Sequence, residues 1–173
     1  MTEILEILKY IIPALIVFIT AYFSIRYFIK HDQKLKKMEL VLENQKLITP
    51  IRLQAYERLT LFLERISPQS MIMRTQKPNM TCKQLQTKLL STIRSEFEHN
   101  LSQQVYISNK AWEVIKNSKE NTVKIINSAS GKLKPNAPAM ELSKNIIETI
   151  FEINKSPSQI AIEYLKNEIR QLF

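Results

Sequence analysis

Glycine is nearly missing: Gly131 is the only one in 173 residues. Phosphate-cradling loops and multi-hairpin β folds use glycine for left-handed or closely approached backbone, so both lack their usual residue. Cysteine is as scarce. A lone Cys82 forms no intramolecular disulfide, which fits a reducing compartment, and a small apolar residue at a helix start accounts for it without chemistry. Aspartate occurs once, at Asp32, and histidine twice, at His31 and His99. What abounds is isoleucine and positive charge. The net charge of +9 raises affinity for nucleic acid and anionic lipid alike. An excess of lysine over arginine, with many Ile and Asn, is also what a codon bias toward A and T produces.

The longest run without a formal charge is Tyr10 to Ile25, 16 residues between Lys9 and Arg26. At about 1.5 Å per residue it spans about 24 Å, and snorkelling by Lys9 and Arg26 closes the gap to a ~30 Å hydrocarbon core. Pro13 falls in the first turns, and Tyr10, Tyr22 and Tyr27 suit the interfaces. A cleaved signal peptide wants a basic start and a small-residue cleavage site. Glu3 and Glu6 stand at this start, and basic residues follow the run. The sequence therefore predicts an uncleaved transmembrane anchor over 1–30. Arg26, Lys30, Lys34, Lys36 and Lys37 follow the run with only Asp32 opposing, which predicts the N-terminus out and the rest of the chain cytoplasmic, at a bacterial inner membrane. The same cations can bind anionic headgroups; their plainer role is to fix topology.

A basic stalk helix is expected over 31–47, with Leu35, Met38 and Leu42 in one narrow stripe and Val41 beside it. The stripe is too short to establish a coiled coil, yet it supports pairing with a second copy or a partner. Thr49-Pro50 reads as an N-cap with proline at the first helical position, so a new helix is expected there. Ile48, Ile51, Ala55, Leu59, Phe62 and Ile66 give it a buried face, widened by Leu53, Tyr56 and Leu63, up to Ser67-Pro68. Gln69 to Met80 reads as a loop. Thr81 with Gln84 has capping-box spacing and opens a helix running to about Asn100. Leu101 to Ile107 reads as a short extended connection. The next helix, capped by Ser108 or Asn109, carries Trp112, Ile115, Val123 and Ile126 and should stop at a left-handed Gly131. Pro135 to Pro138 make a turn, Leu142 to Ile153 a further helix, and Ser156-Pro157 with Gln159 caps the last one. The class is all-α, with 48–173 a cytoplasmic bundle of about five amphipathic helices.

Glu96-Phe97-Glu98-His99 holds the Glu-x-x-His spacing of di-iron bundles, but such a site needs two of these motifs and two more glutamates. The other histidine is His31, beside the apolar run, so one chain cannot complete it; a solvated helix end explains the residues. A Ser-His-Asp or Cys-His arrangement would have to draw on these two histidines and on Asp32 in the stalk. No catalytic, metal or cofactor residues are assigned. From Arg65 to Arg94 the chain holds Arg65, Arg74, Lys77, Lys83, Lys88 and Arg94 and no acid, the composition of an anion-binding surface or of a solvated basic face. Aromatic stacking residues and a helix-turn-helix signature are missing, which disfavours specific nucleic-acid recognition. Trp112 lies on an apolar stripe and reads as core rather than binding hot spot.

Two phrases, ITPIRLQAYERLTLFLERISP at 48–68 and EFEHNLSQQVYISNKAWEVIKN at 96–117, stand behind the N-terminal apolar run. With it they resemble an uncharacterised family of small membrane-anchored helical proteins of the Bacteroidota. The resemblance implies an anchored helical domain and no assigned activity. It marks Arg52, Gln54, Tyr56, Glu57, Arg58, Glu96, Glu98, His99 and Asn100 as candidates for a shared partner surface, with buried polar bonds between the two segments as the competing role. The expected function is a membrane-tethered interaction or scaffold protein with a protein partner. The alternatives are an electrostatic tether for RNA, ribosomes or anionic lipid and, last, an enzyme.

Overall fold

The computed structural model describes residues 2–172, with side chains described at 11, 13 and 15–171. Among the described residues the fold is all-α: six helices and no strand. These are α1 (Thr2–Arg65), α2 (Pro68–Thr75), α3 (Cys82–Asn100), α4 (Asn109–Gly131), α5 (Ala139–Glu152) and α6 (Pro157–Leu172), with a 3-10 turn at Leu101–Val105 between α3 and α4. The chain divides into two compact units, Met1–Thr49 and Pro50–Phe173.

From Thr2 onward the first unit is one uninterrupted helix. Between 33 and 47 nearly every residue is Leu, Lys, Glu, Met or Gln, all good helix formers. Its described side chains are almost all exposed, including Phe18, Phe23, Tyr27 and Phe28. Among the described residues no helix is long and apolar enough to cross a membrane. The anchor expected over 1–30 falls partly outside them, since the side chains of 1–10, 12 and 14 are not described; the continuous described part of the uncharged run, 15–25, extends only about 16 Å. The helix start expected at Thr49-Pro50 is corrected. Helix α1 runs straight through both residues. Pro50 has no N–H to offer the Lys46 carbonyl, a loss that normally breaks a helix interior, but Lys46 and Pro50 are both exposed, so water can take up the freed carbonyl.

The second unit holds the core. Ala55, Tyr56, Leu59, Phe62, Leu63 and Ile66 of α1 are buried at helical spacing, whereas Ile48, Ile51 and Leu53, placed on the same face by the sequence, are exposed. Helix α4 packs on α6, α3 and α5, while α3 also packs on α5, and α2 lies against α3 and α5. Leu85, Leu89 and Ile93 of α3, Ile115 and Ile126 of α4, and Leu142 and Ile146 of α5 are fully buried. Each such side chain contributes about 1.5–3 kcal/mol of transfer free energy.

Both capping boxes form. Thr81 Oγ1 accepts from Gln84 N at 3.3 Å while Gln84 Oε1 accepts from Thr81 N at 3.0 Å. Ser156 and Gln159 repeat the exchange at 3.3 and 3.1 Å. Ser108, not Asn109, caps α4 through Ala111 N. The free N–H groups of α3's first turn are satisfied from the turn before α5: Cys82 N donates to Ala137 O at 2.7 Å and Lys83 N to Pro135 O at 3.1 Å.

Three local expectations are corrected. The stretch 69–80 is not all loop, because Ser67-Pro68 starts α2, whose Met71 and Ile72 are buried. Leu101–Val105 is a 3-10 turn rather than extended, since a three-residue alternation with no neighbouring strand has nothing to pair with. Gly131 ends α4 in helical conformation, and the left-handed positions fall to Asn79 (φ 63°) and Asn154 (φ 66°), residues that tolerate them.

A candidate partner-binding cleft

Arg58, the adjacent Leu61 and Phe62, and Arg65 succeed one another a turn apart along α1. The adjacent Ser95 and Glu96, and then His99 and Asn100, do the same at the end of α3. The two rows face each other across a depression of about 240 Å³. This joins the two phrases singled out in the sequence.

Arg65 Nη1 lies 3.3 Å from Glu96 Oε2, a half-exposed cation on a carboxylate whose side chain is 19% exposed. His99 Nδ1 donates to the Ser95 carbonyl at 2.9 Å, which leaves Nε2 available on an exposed side chain. Asn100 Nδ2 donates to Glu96 O at 2.8 Å, tightening the last turn of α3. Arg58 is exposed beside them. Behind this polar rim stand three rings: Phe62 lies 5.9 Å from Phe97, which stacks on Trp112 at 5.4 Å and 20°, with Lys119 Nζ 4.2 Å from the Phe97 centroid. Chemically the cleft offers an exposed guanidinium, a hydrogen-bonding imidazole and an ion-paired carboxylate. Such a set has the chemistry to pair with a polar or acidic group. Among the described residues no cluster of His, Cys, Asp and Glu is arranged to hold a metal ion.

The nine surface candidates thus separate. Arg58, Glu96, His99 and Asn100 meet in the cleft. Gln54 and Glu57 are exposed on α1, and Glu98 lines another groove. Tyr56 is corrected: it is 1% exposed and belongs to the core. Its hydroxyl and Glu168 Oε2 are both buried without a hydrogen-bond partner. Burial, and next the neighbouring Glu168 carboxylate, push the Tyr56 phenol above its ordinary value. Arg52 Nε donates to the Tyr106 carbonyl at 3.2 Å, pinning the turn after α3.

The six basic residues between 65 and 94 do not form one patch. Arg65 is paired with Glu96, and Arg74 donates to the carbonyls of Arg65 and Ser70, neutralising the C-terminal end of α1. Lys77 borders a depression lined by Met73, Met80 and Met140. Lys83 and Arg94 frame a shallow one with Thr87 and Ser91, of about 280 Å³, and Lys88 is exposed outside it. Arg26, Lys30, Lys34, Lys36 and Lys37 are exposed along the first unit; Arg26 lies 5.2 Å over the Tyr22 ring and Lys36 bonds Asp32 at 2.8 Å.

One family's sequence pattern, described as a family of unknown function, DUF7935, matches residues 2–172. The chain belongs to DUF7935. The resemblance to an uncharacterised family is thereby met. No curated protein and no solved structure matches the chain.

Two features of this DUF7935 chain escaped the sequence. One is the groove of about 800 Å³ between α3 and α4, floored by Leu90, Ile93, Phe97 and Val123 and rimmed by Arg94, Lys119 and Glu120. Only the width of α3's apolar stripe signalled it. The other is the role of Arg65, grouped by sequence with the basic stretch and in fact the cation that crosses to Glu96.

Proposed function

We propose that this chain is a membrane-tethered interaction protein. Its helical unit presents the cleft of Arg58, Arg65, Glu96 and His99 to a protein partner bearing an acidic or polar side chain. The observation that carries the reading is the convergence of the 48–68 and 96–117 phrases on one cleft whose Arg58 and His99 keep exposed polar groups. In this reading the family is one of small anchored proteins of the Bacteroidota. The run from Tyr10 to Ile25 inserts in the inner membrane, N-terminus out, and the cations from Arg26 to Lys37 hold the helical unit on the cytoplasmic side. The exposed aromatic side chains of α1 from Phe18 to Phe28 support it, because such a sleeve is costly in water.

Site-specific photocrosslinking in cells tests the cleft. A crosslinker at position 58 or 99 should yield the same discrete adduct, one at Glu113 on α4 should not, and Arg65→Glu should abolish it. Absence of any adduct from both cleft positions defeats the proposal.

The shallow depression of Lys83, Thr87, Ser91 and Arg94 favours a second reading, a tether for RNA, ribosomes or anionic lipid, since two cations beside hydroxyls suit a phosphate. Retention of RNA that falls steeply between low and physiological salt would favour it, and no retention at low salt would remove it.

A further inference from the structure

The continuity of α1 changes what its exposed stripe can do. Taken alone, Leu35, Met38 and Leu42 cover little more than one heptad. In one unbroken helix they extend upstream, in the same heptad register, through Val17, Ala21, Ser24, Phe28 and His31. With Leu35 at position a and Met38 at d, these eight residues occupy every a and d position from 17 to 42, and none carries a formal charge. The nine formally charged residues between Arg26 and Lys46 all fall on other positions. Every one of the eight seam side chains is exposed within the chain. Among the described residues of the first unit, none covers them.

We propose that α1 pairs with α1 of a second copy as a parallel two-stranded coiled coil along Val17–Leu42. The flanking charges name the occupant. In a parallel pair the g residue of one helix meets the e residue five positions on in its partner. Lys34 is a g residue and Glu39 the matching e, so two copies in register place opposite charges together twice, once on each side of the seam. The other g and e positions, Thr20 with Ile25, Tyr27 with Asp32 and Val41 with Lys46, pair no like charges. His31 forms a polar d layer that penalises slipped alignments, and Gln45 at the next d ends the apolar seam. The small Ala21 and Ser24 let the two backbones approach closely along the upstream half. Leu40 and Leu47, on the outer face, stay outside the pairing.

The pairing does not depend on the partner-binding cleft, and its test is separate. Single cysteines at Leu35, Met38 and Leu42, and controls at Lys37 and Leu40, are introduced into the full-length chain and oxidised in detergent. Cys82 is buried and stays silent. Identical a or d residues in a parallel pair lie within disulfide reach and outer-face residues do not, so covalent dimers should form at the three seam positions with about fivefold or greater excess over the controls. Lys34→Glu and Glu39→Lys, each alone, should lower the Met38→Cys dimer yield about twofold, and the double reversal should restore it. All these positions are exposed, so helicity serves as the folding check. Dimers formed evenly at all five positions, dimers formed at none, or a double reversal as weak as the single ones would overturn the proposal.

Discussion

Arg65, in the last turn of α1, spans to Glu96 in α3 with Nη1 and Oε2 3.3 Å apart, and this ion pair closes one end of the cleft. Its geometry joins two segments 31 residues apart, but half of the arginine side chain faces water. Exposed pairs contribute little. A double-mutant cycle of Arg65→Ala and Glu96→Ala should therefore give a coupling below about 1 kcal/mol in denaturant unfolding. The same substitutions should weaken partner crosslinking from position 58 or 99 far more than they weaken the fold.

Tyr56→Phe removes a buried hydroxyl that makes no hydrogen bond within 3.5 Å but lies beside Glu168 and Arg52, so stability should change by less than about 1 kcal/mol. Tyr56→Ala, which empties the core, should cost about 3–5 kcal/mol. The raised pKa fixes a sign for alkaline titration. The unfolded chain ionises this phenol first, so it binds fewer protons than the native state and stability falls as pH rises through and above about 10. Chemical denaturation of the wild type and of Tyr56→Phe at pH 8 and pH 11 should show a smaller alkaline loss in the variant.

Gly131→Ala should stabilise by about 0.5–1 kcal/mol, because the residue is helical and a methyl group there meets nothing within 4 Å. A left-handed glycine would give the opposite sign. Thermal unfolding of the variant separates the two.

Thr81→Ala and Ser156→Ala each break a capping box and should cost about 1 kcal/mol. Thr81→Ala has an added effect, because α3's first turn also docks on the turn before α5. Amide exchange should rise at Cys82 and Lys83, whose N–H groups bond Ala137 and Pro135.

If α1 anchors the chain, the full-length protein should stay with the membrane through alkaline carbonate extraction, and removal of residues 1–30 should release it. A cysteine at Lys36 should react with a membrane-impermeant reagent only after lysis. Solubility of the full-length chain in carbonate would defeat the anchoring reading.

Helix existence was legible where a cap residue and a 3.6-residue stripe agreed, as at Thr81, Ser108 and Ser156, the last with proline at the first helical position. The same serine-proline signal at Ser67-Pro68 is ambiguous as a start, because it also closes an obvious helix and because α2, at eight residues, buries only Pro68, Met71 and Ile72. Thr49-Pro50 shows the converse: a well-formed cap signal overruled by strong helix formers on its N-terminal side and buried Ala55 and Leu59 beyond it. Half of the cleft was legible, since the phrases gave Arg58, Glu96, His99 and Asn100. Arg65 was not, because an ion pair across 31 residues leaves no local pattern. Nor was the burial of Tyr56, which depends on contacts from distant segments, Glu168 among its neighbours.

The row of rings behind the cleft has an optical consequence. Trp112 is the chain's only tryptophan, and it is separated from the cleft floor by a single side chain, Phe97, which touches both it and Phe62. Whatever enters and displaces Phe62 disturbs one indole and no other. Intrinsic emission therefore gives a label-free binding signal from one known place, usable before any partner is identified.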